Sequence, residues 1–168
     1  KKPGLYYGRD NNIISNGFTK YSGSGNDFII IDNRDQSFNG NIKDLCTRGS
    51  SIGADGLILI ENTTTEHDFK WKYYNSNGKK AEMCGNGARC VAHFVYHNNI
   101  TTNKMSFIND FNMITHANVK ENTVSVSLPE YKTFDVSHDL KKNIENIIPL
   151  NIESIKLISV GVLHLILT

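Results

Sequence analysis

Apolar residues fall into short blocks separated by Gly, Asn and Ser clusters, the pattern of strands joined by tight turns. Phe18-Thr19-Lys20-Tyr21 reads as a strand entering the polar turn Ser22-Gly23-Ser24-Gly25-Asn26-Asp27. Phe28-Ile29-Ile30-Ile31-Asp32 and Leu57-Ile58-Leu59-Ile60 predict buried strands, the first by its β-branched run. Between them, Asn41 to Arg48 predicts a short helix with Leu45 and Ile42 facing inward. Phe69 to Tyr74 alternates and predicts a further strand, closed by the hairpin-style turn Asn75-Ser76-Asn77-Gly78. A short strand through Ala81-Glu82-Met83 is expected next. From Ala88 to Asn98 the period becomes helical: Ala88, Val91, Ala92, Val95 and Tyr96 share one face and Phe94 widens it. Lys104 to Ile108, Asn112 to Val119 and Thr123 to Leu128 return to strand patterning, stopped by Pro129. Tyr131 to Asn151 is polar, contains Pro149 and reads as a linker, and Ile155 to Thr168 is strand-like again with a break at Gly161.

The composition narrows this picture. The 168 residues are 39% hydrophobic, enough for a packed core, and 18 basic against 17 acidic residues leave a net charge of +1. That balance carries no electrostatic footprint for nucleic acid, and no run is long and apolar enough to span a membrane as a helix. No apolar segment follows Lys1-Lys2, so the opening does not read as a signal peptide. Three cysteines, Cys46, Cys84 and Cys90, form an odd, sparse set that points to free thiols in a reducing compartment, here the cytoplasm. They show no Cys-x-x-Cys spacing. His93 and His97 stand four apart on the expected helix without an evident third ligand, so no metal site is expected.

Cys84 carries the strongest chemical signal. It opens Cys84-Gly85-Asn86-Gly87, directly before the helical pattern. A sulfur there lies among unpaired backbone N–H groups at the positive end of the helix dipole, both of which favour a thiolate. The same N–H groups can hold a carboxylate, and the glycines let backbone approach a ligand. The plainer alternative is a small buried cysteine at a helix start, although Gly85-Asn86-Gly87 makes poor helix interior and a better ligand-cradling loop. Cys46 and Cys90 read as buried packing residues. Arg89 reads as a structural ion-pair partner near the helix start, with carboxylate binding as the other option.

Four segments together resemble diaminopimelate epimerases. They are Phe18-x-Lys20-Tyr21-x-Gly23-x-Gly25-Asn26-Asp27-Phe28, Gly53-Ala54-Asp55-Gly56-Leu57, Tyr74-Asn75-Ser76-Asn77-Gly78 with Glu82-Met83-Cys84-Gly85-Asn86-Gly87-Ala88-Arg89-Cys90, and Ser159-Val160-Gly161-Val162-Leu163-His164. The resemblance implies an α+β fold of two similar halves, each a mixed β-sheet curled around a central helix, with the active site between them. It implies interconversion of LL- and meso-diaminopimelate without pyridoxal phosphate, other cofactor or metal, on the route to lysine and cell wall. One cysteine thiolate removes the α-proton and a second thiol returns a proton on the opposite face. Carried onto this chain, Cys84 is the acid/base of the first half. Asn26 and Asn75 bind substrate through their side chains, Gly85 and Asn86 through helix-start backbone, and His164 tunes the cysteines. Homodimers are common in the family and remain an option here.

This chain departs from that pattern in several places. The expected organisation is an N-terminal extension or remnant over 1–15, a first half-domain over 16–131, a linker over 132–154 and the opening of a truncated second half over 155–168. The second pseudo-symmetric half is then largely absent, and with it the second cysteine. Val162 and Leu163 stand where the family usually has Asn and Pro, which bears on one substrate contact. Gly56 offers only backbone at a position that contacts substrate in some members. Two alternatives stay open: an inactive fragment or scaffold half of the same fold, and a related proline racemase-like or phenazine-isomerase-like enzyme. Asn86 after Cys84-Gly85 favours the epimerase, because the racemases usually carry His there.

Overall fold

A computed structural model describes residues 17–121, 123–147, 154–159 and 163–167. The expected extension over 1–15 lies outside the described residues, as do Val160, Gly161 and Val162. The chain divides into two compact units after Ser127.

The first unit is a seven-stranded mixed sheet in sequential order: β1 (Thr19–Gly23), β2 (Asn26–Asp32), β3 (Gly56–Glu61), β4 (Phe69–Asn75), β5 (Lys104–Ile108), β6 (Ile114–Lys120) and β7 (Thr123–Val126). The β2–β3 and β4–β5 pairs are parallel and the rest antiparallel. Each parallel pair needs a crossover. The first passes through α1 (Ile42–Cys46) and the second through α2 (Gly85–His97). Both ends of the sheet close on α2, which packs against β1 and β2 on one side and β6 and β7 on the other. The mixed sheet curled around one central helix, expected from the resemblance, is the architecture observed.

Alternation along the strands builds two cores. Phe28, Ile30, Ile58, Ile60, Phe69, Trp71 and Phe107 face α2, where they meet Ala88, Val91, Ala92, Phe94 and Val95. Burying each large apolar side chain of this set contributes roughly 1.5–3 kcal/mol. The opposite faces of β2 and β3 place Ile29, Ile31, Leu57 and Leu59 against Leu45 and Cys46 of α1. Both faces of these two strands are therefore buried, which is why they read as unbroken apolar runs.

Several local expectations change. The helix expected from Ala88 begins at Gly85, because Cys84 caps it and takes Gly85-Asn86-Gly87 into the first turn. Tyr96 is exposed, not part of the buried face. Ala81-Glu82-Met83 forms no strand; an isolated bridge pairs Tyr74 with Lys80, and the Glu82 carbonyl accepts a hydrogen bond from Asn109 Nδ2 at 2.5 Å. The stretch read as a linker is ordered into β8 (Lys132–Phe134) and α3 (His138–Ile147). Ser137 caps α3, its Oγ accepting from the Leu140 N–H at 3.3 Å. The second unit consists of these two elements with β9 (Ile155–Ser159) and β10 (Leu163–Leu167), the strands forming an antiparallel sheet in the order β10-β9-β8. No helix among the described residues is long and apolar enough to cross a membrane.

Gly56 is the most closely surrounded of the described sheet glycines. A Cβ there would lie 2.6 Å from both the Tyr73 ring and the Tyr74 carbonyl oxygen. Gly56→Ala must push β4 away from β3, so a loss of about 1–3 kcal/mol is expected, measured by urea denaturation.

Candidate active site

The topology gathers residues that are distant in sequence at one end of the sheet. β2 and β3 begin there and the antiparallel β4 finishes there, so Gly56 pairs with both Phe28 and Asn75. β1 and β2 are joined by the two-residue loop Ser24-Gly25, with φ of 54° and 88°. Two positive φ values in succession are the geometry of a type I′ hairpin turn. Asn26 is thereby fixed as the first residue of β2, opposite Gly23. Beyond Asn75, the Gly78 N–H returns to the Asn75 carbonyl at 2.9 Å and the Ala81 N–H to the Tyr73 carbonyl at 3.0 Å. This tight turn delivers the chain to Cys84.

Cys84 is half-buried and takes the N-cap position of α2 in an extended conformation, φ −145° and ψ 108°. Its Sγ accepts the Gly87 N–H at 3.3 Å, and its carbonyl accepts the Ala88 N–H at 2.8 Å. The sulfur thus does what a Ser or Asp oxygen usually does at a helix start. The backbone N–H groups of Gly85 and Asn86 have no partner within the helix. On β4, the Tyr73 hydroxyl donates to Asn75 Oδ1 at 2.9 Å. Burial pushes the Tyr73 phenol up, and the neighbouring Cys84 sulfur pushes it further.

The other two thiols sit in different surroundings. Cys46 is 3% exposed and Cys90 4%. Burial pushes each up to about 11. Both are packing residues by position, as expected.

A polar network joins the first hairpin to α2. Asn86 Nδ2 donates to Asn26 Oδ1 at 2.6 Å, and Asn26 Nδ2 donates to Asp55 Oδ2 at 3.2 Å. Arg89 Nη2 donates to Asn86 Oδ1 at 2.5 Å and to Ser24 Oγ at 2.9 Å. Arg89 therefore bonds neutral groups; the described residues show no ion pair for it, contrary to the sequence reading. Behind Asn26, Arg48 bridges Asp27 and Asp55, and Lys20 also pairs with Asp27. Arg48 above all, with help from Lys20, holds the Asp27 carboxyl well below the usual carboxylate range. Donation from Asn26, then from the Asp27 N–H and Arg48, holds Asp55 low.

Of the residues expected in the site, Cys84, Gly85, Asn86 and Asn26 come together in the first unit. Asn75 stands at the same end of the sheet, tied to Tyr73. His164 lies in the second unit, exposed as the second residue of β10, opposite Ile158. The His93 and His97 rings lie with centroids 4.0 Å apart and planes tilted by 38°, and His93 Nδ1 lies 3.1 Å from the Tyr21 hydroxyl. The described residues hold no cluster of three or more metal-ligating groups. Sequence reasoning did not single out Tyr73 or Asp55. For Tyr73 the signal was available: it continues the Phe69, Trp71 alternation onto the inner face, two residues before Asn75.

Residues 18–130 match the sequence profile of the family described as diaminopimelate epimerase. A diaminopimelate epimerase from Hydrogenobaculum sp. is 42% identical over 139 residues, covering 76% of this chain and 48% of that protein. One from Flavobacterium psychrophilum is 50% identical over 109 residues, covering 62% of this chain and 42% of that protein. The chain spans about half the length of the curated relatives it matches. Among solved structures, a phenazine biosynthesis protein of the PhzF family from Bacillus anthracis superposes with a TM-score of 0.63 at 15% identity, covering 89% of this chain and 54% of that one. At that identity the likeness concerns the fold alone.

Two outcomes follow from these surroundings. At neutral pH, iodoacetamide is expected to label Cys84 and spare buried Cys46 and Cys90; Cys84→Ala abolishes labelling and Cys46→Ala leaves it intact, read by peptide mass spectrometry. Equal labelling of the two variants would count against an accessible, reactive Cys84. The second outcome concerns Asp27, whose pKa is lower folded than its unfolded value near 3.8. Its contribution is complete above the unfolded pKa and is lost as pH falls toward the folded one. The melting-temperature gap between the parent chain and Asp27→Asn should therefore narrow as pH falls from about 5 to about 2.

Proposed function

Because the chain belongs to the diaminopimelate epimerase family, we propose that it forms one half of a cofactor-independent isomerase interconverting LL- and meso-2,6-diaminopimelate, with Cys84 as one of two opposed acid/base thiols. The observation that carries this reading is the half-buried Cys84 sulfur at the N-cap of α2, next to the Asn26–Asn86 amide pair. Inverting a stereocentre requires proton removal on one face and delivery on the other, so two groups must flank the α-carbon. Cys84 supplies one face. The Gly87 N–H donates to its sulfur at the N-terminal end of α2.

In this mechanism the substrate's α-carboxylate accepts hydrogen bonds from the backbone N–H groups of Gly85 and Asn86, and Asn26 and Asn75 orient it through their side chains. The α-proton of an amino acid is only weakly acidic. The carbanion that forms on its removal is stabilised by dense donors in a cleft that excludes water. His164 takes the role the family resemblance implies, setting the proton balance between the two thiols. The opposing thiol is not one of this chain's cysteines, since Cys46 and Cys90 are buried. This chain carries one of the two bases. The product feeds lysine and peptidoglycan synthesis, and the reducing cytoplasm keeps the thiol free.

Heavy-water exchange tests the proposal. The 168-residue chain alone should produce no meso-diaminopimelate from the LL isomer at an enzyme-like rate. A hybrid completing it with the remaining half of the Hydrogenobaculum relative should incorporate deuterium at the α-carbon. Cys84→Ala in that hybrid should slow incorporation by about 10²–10⁴-fold, the usual contribution of a positioned acid/base group. Rapid inversion by the chain alone, or exchange in the hybrid indifferent to Cys84→Ala, overturns the assignment.

A further inference from the structure

Two side-chain amides stand in series between two charged groups. Asp55 Oδ2 faces Asn26 Nδ2 at 3.2 Å, Asn26 Oδ1 faces Asn86 Nδ2 at 2.6 Å, and Asn86 Oδ1 faces Arg89 Nη2 at 2.5 Å. An asparagine amide can turn over, exchanging its oxygen and nitrogen at little steric cost. Here neither can turn. An ionised carboxylate only accepts and a guanidinium only donates. With an acceptor-only group at one end, Asn26 must present nitrogen to Asp55 and therefore oxygen to Asn86. Asn86 must answer with nitrogen, which leaves its oxygen for the donor-only Arg89. The two ends demand the same arrangement, so the amide pair has one orientation.

Asp55 is itself pinned. Its Oδ1 accepts from Arg48 Nη2 at 2.9 Å, and its Oδ2 also accepts the Asp27 N–H at 3.1 Å. Each Nδ2 of the pair has spent one of its two hydrogens in these bonds. The second hydrogen of each has no partner among the described residues, and Asn86 stands two residues after Cys84 in the first turn of α2.

We propose that Asp55 and Arg89 are positioning residues that lock the Asn26–Asn86 pair with its N–H groups available to a carboxylate-bearing ligand beside Cys84. This deepens the isomerase reading and rests on it for the identity of the ligand. Neither residue touches the substrate; each acts through an asparagine.

The test compares two alkylating probes on the 168-residue chain. Iodoacetate and iodoacetamide react alike, the cysteine sulfur displacing iodide, and differ in carrying a carboxylate or an amide. In the parent chain the iodoacetate-to-iodoacetamide rate ratio at Cys84 should exceed that of glutathione under the same conditions. Asp55→Asn should lower that ratio by about fivefold, the effect of losing one hydrogen bond of ordinary strength, because the new amide no longer dictates how Asn26 turns. A charge effect alone has the opposite sign, since removing an anion speeds attack on an anionic probe. Asp55→Glu, still acceptor-only, should retain more of the ratio than Asn.

Labelling of Cys46 and Cys90 reports loss of the fold. Should Asp55→Asn expose them, the other end of the series supplies the measurement: Arg89→Lys, donor-only, keeps the ratio, and Arg89→Gln loses it even at about 1 M salt, which screens the loss of charge. A parent ratio no higher than glutathione's, or a ratio unchanged or raised in Asp55→Asn, overturns the proposal. An inactive hybrid with the ratios behaving as expected overturns the isomerase reading and leaves the positioning roles standing; the converse pair of results overturns the positioning roles only.

Discussion

The packing of α2 inside the curled sheet is the constraint on which the rest of the first unit depends. The helix offers Ala88, Val91, Ala92, Phe94 and Val95 to strands on both of its sides, so the sheet must bend until β1 and β7 both reach it. Ala88 and Ala92 keep the helix slim enough for that approach. Once the helix axis is fixed by the core, its first turn has a single place to emerge, at the end of the sheet where β2 and β3 start. The chemistry of the site thus depends on hydrophobic contacts well inside the molecule, none of which touches a ligand.

At that end the polar groups are held by more bonds than their positions alone require. The hairpin loop sets Asn26, the Arg48 bridge sets Asp55, and the two asparagines set each other. Charged groups bond the amides at both ends of the series. Their fields therefore orient neutral donors. Tyr73 is arranged similarly on β4, where its hydroxyl fixes Asn75 while the ring fills the space left open by Gly56.

Much of this was legible in the chain. β2, β3 and β4 follow from their apolar runs and alternation, and the buried face of α2 follows from its spacing except at Tyr96, where the helix outruns the sheet. Gly85-Asn86-Gly87 was not legible as helix. Low intrinsic propensity was overridden by a sulfur cap and by burial of the turn that follows. Ala81 to Met83 failed as a strand because the Asn109 side chain satisfies the backbone that a neighbouring strand would have paired. α3 was hidden in a stretch rich in Lys and Asn, and its one clear signal was Ser137 as a cap with Asp139 in the first turn. The amide series lay furthest out of reach. Its links span 29 and 60 residues of sequence, and no local pattern reports a contact of that range.

The strand order also bears on how the chain assembles. Every strand of the first sheet lies beside the one synthesised just before it, so no segment must wait for a distant partner. Pairing can advance from the N-terminus as polypeptide leaves the ribosome, with β1 to β4 forming an exposed apolar surface before α2 appears. The helix then docks on a platform already in place, and β5 to β7 wrap its remaining side. A chain stalled between Asn75 and His97 would leave that platform uncovered, and this interval is where nascent protein most needs a chaperone.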